Sequence, residues 1–315
     1  MFPDAPQPFI DLSTGINPFS YPLPSLSPDT FVRLPDAEAN GRLAAVAARA
    51  YGAPSAAHVA PAPGTQILLP LVAALAPAGR AAILGPTYSE HARAAALVGH
   101  TVLDATSIDQ LGAADLAVVV NPNNPDGRIV GKESLLALAD TLKARSGVLV
   151  VDEAFMEVGP AETSLAGETD RENIIVLRSF GKFFGLAGLR LGFALAAPAL
   201  AARLVASLGP WAVSGPAIAI AEHALADYAW IEATRGKLAG AAAKLDRLLA
   251  DAGIDVVGGT SLFRLTRSSS ASQIFRQLGT AGIIVRAFHE HPTWLRFGIP
   301  RDTDWDRLHA RLATA

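Results

Sequence analysis

Residues Ser179 to Arg190 read Ser-Phe-Gly-Lys-Phe-Phe-Gly-Leu-Ala-Gly-Leu-Arg. Ahead of them runs Ile174-Ile175-Val176-Leu177, a β-branched apolar run with the length of a buried strand. One lysine, Lys182, then stands among Phe183, Phe184, Leu186 and three glycines. Lysine is among the side chains least often fully buried, so this setting calls for a reason. Desolvation lowers an amine pKa and makes the amine nucleophilic, which is how Schiff-base lysines are prepared. A surface lysine whose stem lies over apolar neighbours fits the local sequence equally well.

Two more apolar runs upstream end in polar tips. Leu116 to Val120 leads into Asn121-Pro122-Asn123-Asn124-Pro125-Asp126-Gly127, and Val148 to Val151 into Asp152-Glu153-Ala154-Phe155. Unbroken apolar runs of this length indicate strands buried on both faces, hence a parallel sheet. Ligands of open α/β sheets bind beyond the carboxyl ends of such strands. Asn124, Asp152 and Lys182, spaced by 28 and then 30 residues, are therefore expected on one side of the sheet. Ala81 to Leu84 is a further strand, followed by Tyr88, an aromatic that either stacks on a flat ligand or packs. Gly64-Thr65-Gln66 opens an apolar helical run from Ile67 to Leu75. Free backbone N–H groups at such a start suit a phosphate, and an ordinary helix cap reads the same way.

Half of the 315 residues are hydrophobic, 17% are charged, and there is no cysteine. Disulfides and thiolate metal sites are thereby excluded, and a reducing compartment fits. A formal charge of −3 leaves no basic footprint for nucleic acid. Leu204 to Ala221 is uncharged, but Gly209-Pro210 and Gly215-Pro216 interrupt it, which suits a buried bend better than a membrane span. Met1-Phe2-Pro3-Asp4 lacks the basic and apolar regions of a signal peptide, so the expected location is cytoplasmic. Residues 1–36 are proline-rich and read as an extended arm, and an alanine-rich helix ends near Tyr51-Gly52. After Pro198 helices dominate through about Ala252. Strands return at 259–265, 282–286 and 294–298, which reads as a small α+β domain. Arg286 and Arg296 lie on two of these with apolar neighbours; two buried arginines suggest an anionic ligand. His289-Glu290-His291 reads as a solvated loop.

Ser179-x-x-Lys182, with Gly188-Leu189-Arg190 following, resembles the pyridoxal-phosphate lysine region of fold-type I aminotransferases. The group nearest in pattern holds the histidinol-phosphate aminotransferases and the threonine-phosphate decarboxylases of cobalamin biosynthesis. The resemblance runs from Asp11 to about Pro300. It implies an α/β fold-type I transferase, with a large cofactor domain over 34–205 and a mostly parallel sheet flanked by helices. An N-terminal arm (1–33) joins a smaller α+β domain (206–315). It implies pyridoxal 5′-phosphate as cofactor, with Lys182 forming the Schiff base, Asp152 pairing with the ring nitrogen, and Asn124 and Phe155 beside the ring. Tyr88 would stack on the ring. Gly64, Thr65, Gln66, Ser179 and Arg190 would hold the phosphate. Asn17, in Asp11-Leu12-Ser13-Thr14-Gly15-Ile16-Asn17-Pro18, would border the substrate, Arg296 would take its α-carboxylate and Arg286 its phosphate. A homodimer is implied too. Relatives carry Tyr-Pro where this chain has Leu34-Pro35, so one phosphate contact from the partner subunit is in doubt.

Two stretches separate the reactions inside this group. The aminotransferases usually read Asp-Glu-Ala-Tyr where this chain has Asp152-Glu153-Ala154-Phe155, and Phe155 has no hydroxyl to give. That form, with Asp-Leu-Ser-Thr-Gly-Ile-Asn-Pro, resembles the decarboxylases. The expectation is decarboxylation of O-phospho-L-threonine, with an aminotransferase or a cofactor-binding module without turnover as alternatives. Decarboxylase relatives carry a His-Gly-Gly segment ahead of the position of Met1, and an arm lacking it is expected to impair activity if that segment serves the substrate site.

Overall fold

The structure is a computed structural model and describes residues 2–313. Met1, Thr314 and Ala315, the outer ends of the two terminal segments, lie outside it. The strands are β1 (Ile10–Leu12), β2 (Val59–Ala62), β3 (Arg80–Leu84), β4 (Thr101–Ala105), β5 (Leu116–Val120) and β6 (Val148–Asp152). They continue as β7 (Ile174–Ser179), β8 (Gly192–Ala196), β9 (Asp255–Thr260), β10 (Phe263–Arg267), β11 (Ile283–Ala287) and β12 (Trp294–Gly298). The helices are α1 (Asp29–Val32), α2 (Ala37–Tyr51), α3 (Thr65–Ala73), α4 (Glu90–Leu97), α5 (Lys132–Lys143) and α6 (Phe180–Phe183). After them come α7 (Pro198–Leu208), α8 (Gly215–Ala226), α9 (Tyr228–Asp251), α10 (Ala271–Thr280) and α11 (Trp305–Leu312).

Seven strands form the larger sheet in the order β2-β8-β7-β6-β5-β3-β4, and only β8 runs against the rest. Every residue of β5, β6 and β7 is buried, as unbroken apolar runs require. The period of two splits β7 between two cores. Ile174 and Val176 face α2, α5 and α9, through residues such as Leu43, Leu138 and Leu245. Ile175 and Leu177 face α3, α4 and α7 through Leu68, Val72, Ala95 and Leu204. The sandwich fixes the sheet between helix layers and leaves its strand ends free to carry a site.

The smaller sheet has the order β1-β11-β12-β10-β9, with β1 parallel to β11 and the remainder antiparallel. Here the structure differs from the expectation in three places. The run 259–265 is two strands, β9 and β10, turning at Ser261-Leu262, because Thr260 Oγ1 accepts the Leu262 N–H and ends the ladder. The arm is not wholly extended over a surface: Ile10–Leu12 enters the smaller sheet as its edge strand. The bend between α7 and α8 is not buried throughout, since Trp211 is 57% exposed.

The two sheets meet where two backbones touch. Gly259 N–H donates to the Asp126 carbonyl at 2.8 Å. Gly127, at φ +73°, lies so close that a Cβ would collide with the Gly259 carbonyl. Gly127→Ala is expected to destabilise the protein by at least about 2 kcal/mol, through left-handed strain plus that collision. Gly41→Ala, inside α2 with open space around the new Cβ, should instead stabilise it by about 0.5–1 kcal/mol. Urea unfolding of both variants checks the opposite signs.

Candidate active site

β5, β6 and β7 are neighbours in the sheet, with Val120, Asp152 and Leu177 in register across them. Asn124 follows β5, Asp152 ends β6, and Lys182 lies in α6 directly after β7. All three therefore stand at the same carboxyl edge.

The aromatic residues around Lys182 turn inward and anchor its turn. Phe180 and Phe184 stack at 4.4 Å between centroids, and Trp230 of α9 lies parallel to Phe184 at 5.7 Å. Asn17 clamps the same turn: its N–H donates to the Lys182 carbonyl at 3.0 Å and its Nδ2 to the Phe183 carbonyl at 2.7 Å. The side chain of Asn17 is thus bonded to backbone. Lys182 Nζ lies 5.9 Å from the centroid of the Phe155 ring. Burial lowers its pKa; Arg296 and Arg190 lower it further, and Asp152 opposes them. Of the two readings of this lysine, the desolvated amine is the one the fold builds.

Asp152 is buried and accepts at both oxygens: Oδ1 from the Ala154 N–H at 3.1 Å, and Oδ2 shares a hydrogen bond with His91 Nε2 at 2.8 Å. His91 is also buried, in the first turn of α4. Sequence reading passed it over; the signal available was its place three residues after Tyr88. Tyr88 itself meets His91 edge-on at 6.1 Å, and its hydroxyl donates to Gln66 Oε1 at 3.0 Å. Burial, then Glu90 and Asp152, raise its pKa. Tyr88 is 40% exposed.

Gly64, at φ +87°, opens α3, and Arg190, itself in the left-handed region at φ +53°, closes over it. A Cβ on Gly64 would lie 2.7 Å from Arg190 Nη2. Ser179 is paired with Gly192, and a Cβ on Gly192 would lie 2.6 Å from the Thr65 nitrogen. The helix start, Ser179 and the guanidinium thus make one cup, with the positive end of the α3 dipole facing a cation. Gln66 joins this cup by backbone only, because its side chain holds Tyr88 and donates to Glu90 at 2.7 Å.

Arg296 is buried on β12. Its Nη1 donates to Asn124 Oδ1 and its Nη2 to the Ser13 carbonyl at 2.6 Å, while its Nε has no partner among the described residues. Arg286 departs from the expectation of two buried arginines: it is exposed in this chain, because β11 leaves cover at Arg286-Ala287. It is nevertheless directly opposite Arg296 in the β11–β12 register, so the two side chains share a face. Burial, and then the Arg286 charge, push the Arg296 pKa down to about 10. Like charges directly opposed are destabilising unless an anion joins them. Phe155 is buried beneath this face, edge-on to Phe263 at 5.1 Å. Asp126, Thr87 and Asn123 are drawn into the same loops. His291 stacks on Trp294 at 4.0 Å in the β11–β12 loop.

These residues fit a phosphorylated aromatic aldehyde. The cup offers backbone N–H groups and an arginine to the phosphate, Lys182 offers an amine lowered in pKa to the aldehyde, and Asp152 offers a buried carboxylate to a ring nitrogen. An amine whose folded pKa lies below its unfolded value binds fewer protons when folded, so between the two values stability rises with pH. Lys182→Met in the cofactor-free protein is therefore expected to raise stability at neutral pH. The gain should shrink as pH climbs toward the ordinary lysine value of 10.5. Urea midpoints of both proteins across that range are the check, and a pH-independent difference would contradict the assignment.

Three comparisons agree with the geometry. A threonine-phosphate decarboxylase of a Sinorhizobium species is 43% identical, over 98% of this chain and 92% of its own length. The threonine-phosphate decarboxylase of Pseudomonas aeruginosa is 41% identical, over 96% and 91%. In fold, the chain matches a histidinol-phosphate aminotransferase of Sinorhizobium meliloti, solved in complex with pyridoxal-5′-phosphate, with a TM-score of 0.84. That match covers 97% of this chain and 90% of the other at 23% identity. The family model of aminotransferase class I and II matches residues 34–312, and the chain belongs to that enzyme family.

Proposed function

We propose that this chain is a pyridoxal-phosphate-dependent threonine-phosphate decarboxylase, releasing CO2 from O-phospho-L-threonine to leave aminopropanol phosphate. The observation that carries the substrate is the Arg286–Arg296 pair, opposed on one face beside the partly buried Lys182. A substrate with a carboxylate and a phosphate relieves both charges at once. The names of the two relatives above 40% identity support the reaction.

When bound, pyridoxal phosphate supplies an aldehyde for an amine to condense with and a ring that takes up the electron pair left as the Cα–carboxylate bond breaks. Lys182 holds it, and the Gly64-Thr65 turn, Ser179 and Arg190 hold its phosphate. Asp152 keeps a proton on the ring nitrogen, as a buried carboxylate beside it must. Asn124 offers its Nδ2 to the ring oxygen while its Oδ1 stays on Arg296. Arg296 takes the carboxylate and Arg286 the phosphate, and gripping both ends fixes the rotation about Cα that decides which bond breaks. Lys182 Nζ moves the proton that ends on Cα. Phe155 lines the lysine with a ring that offers no competing hydroxyl.

Residues 34–205 form the cofactor domain in this reading, and the arm and 206–313 close over it. The protein is a cytoplasmic homodimer. Among the described residues no helix is long and apolar enough to cross a membrane. Leu23, Phe31, Val32 and Leu34, all in one short segment of the arm, are each at least 65% exposed in the single chain, apolar surface for a second copy to cover. Light scattering is expected to give a dimer at micromolar concentration, and Val32→Asp to shift it toward monomer.

The deciding experiment is incubation with O-phospho-L-threonine and no keto acid, with CO2 and amine measured. A decarboxylase turns over many times, whereas an aminotransferase stops after one half-reaction. Arg286→Ala should lower kcat/KM for the phosphorylated substrate about 10- to 100-fold, the size of one charge-assisted contact, and leave threonine little changed. Arg296→Ala should damage both. Turnover of histidinol phosphate with 2-oxoglutarate instead would make the chain an aminotransferase.

A further inference from the structure

Two loops flank the ring site, and two side chains join them: Arg128, whose guanidinium donates to the Gly85 carbonyl at the root, and the buried Asn123 further out. Asn123 is fully buried. Its Oδ1 accepts from the Thr87 hydroxyl at 2.6 Å, and its Nδ2 donates to the Pro86 carbonyl at 3.0 Å and to Asp126 Oδ1 at 2.7 Å. Thr87 and Pro86 belong to the loop after β3, whose next residue is Tyr88. Asp126 belongs to the loop after β5, which carries Asn124. One amide therefore uses its acceptor and both donors, and its bonds reach both loops.

We propose that Asn123 is a positioning residue that, through Thr87, sets the spacing between the Tyr88 ring and Asn124, and so the fit of the stacking ring over a cofactor ring held at its edge by Asn124. Three features of the arrangement favour this over simple loop packing. The strands β3 and β5 are adjacent in the sheet, so their register fixes only the roots of the two loops. Beyond the strands, the Asn123 side chain makes both polar bonds from the 121–128 loop to residues 86 and 87. The Tyr88 hydroxyl is tethered separately, to Gln66 at the phosphate cup. Tyr88 is thus held at its tip from one side and at its root from the other, and the root tether is the one shared with Asn124. An apolar residue at position 123 would leave the Thr87 hydroxyl and the Pro86 carbonyl without this partner and free the Tyr88 loop to tilt.

The inference rests on the cofactor reading above for its consequence, and on geometry alone for the clamp, so the test has two arms. Thr87→Val, Asn123→Ala, their double variant and Thr87→Ser are compared with wild type. In the cofactor-free proteins, hydrogen–deuterium exchange reads the clamp directly. Thr87→Val is expected to speed exchange both in 87–89 and across the sheet edge in 123–127, with β6 amides unchanged; Asn123→Ala should do the same. In the second arm, spectrophotometric titration with pyridoxal phosphate should show affinity about five- to tenfold weaker for Thr87→Val, the worth of one buried hydrogen bond. The double variant should be no weaker than Asn123→Ala, and Thr87→Ser should return to wild type. Exchange at 123–127 unmoved by Thr87→Val, or independent effects of the two substitutions that multiply, would overturn the proposal. A wild type that does not bind pyridoxal phosphate would instead sink the cofactor reading, and the exchange arm would still decide the clamp.

Discussion

Arg296 is the side chain on which the three parts of the chain meet. Its guanidinium is held by Ser13 of the arm and by Asn124 of the loop after β5, and it stands on β12 of the smaller sheet. A charge buried this deeply is costly unless its donors are used, and its Nε is still unpartnered among the described residues. With Arg286 opposite, the cost is doubled in kind: desolvation and like-charge repulsion act on the same group. Such an arrangement favours an anion, and the Arg296 charge reaches the lysine, whose pKa it lowers. The Gly127–Gly259 contact then has a clear purpose in the fold, since it seats the smaller sheet on the same loop that offers Asn124 to Arg296.

A second buried charge cluster lies behind the site and shows the contrast. Arg178, on the other face of β7 from Ser179, pairs with Glu153 at 2.9 Å and Glu157 at 3.1 Å, and lies over the Tyr51 ring at 4.4 Å. Burial works against its charge, yet the two carboxylates more than offset this and raise its pKa. The cluster pairs its charges, although Arg178 Nε and both Glu157 oxygens lack a hydrogen bond among the described residues, and it braces the strand end that bears Asp152 and the lysine turn. Among the described residues no carboxylate pairs with Arg296 or Arg286. That difference is the ground on which the Arg286–Arg296 pair is proposed to meet an anionic ligand.

Much of this was legible in the residues. Unbroken apolar runs with polar tips predicted parallel strands and the shared edge of Asn124, Asp152 and Lys182, because burial on both faces leaves nothing else for such runs to do. What the sequence hid depends on neighbours far along the chain. The exposure of Arg286 depends on where cover ends over β11, while its partner on β12 is buried by the arm. His91 looks like any helix residue until Asp152 is placed 2.8 Å away. Of the asparagines in Asn121-Pro122-Asn123-Asn124, reading singled out the last. Asn121 closes the loop on Val130, and only the fold shows that Asn123 reaches the Tyr88 loop. The β9–β10 turn was missed because Ser261-Leu262 carries no glycine or proline.

The wall opposite the lysine bears on the choice among reactions. A Cβ on Gly15 would come within 3.0 Å of both the Phe155 and Phe263 rings, so the arm passes as close to this wall as a backbone can. Phe155 and Phe263 meet edge-on, and Arg296 lies 5.3 Å over the Phe263 ring. The wall that Phe155 and Phe263 build beside Lys182 Nζ is thus aromatic, and Phe155 brings no hydroxyl to it. In such surroundings a neutral amine is favoured over its charged form, and the proton it carries is readily given up. A phenolic hydroxyl at position 155 would place a second donor beside the ring and offer the proton another place to go. In the proposed reaction a bare phenyl ring at 155 would leave that proton to the lysine, and delivery to Cα is the outcome that ends a decarboxylation.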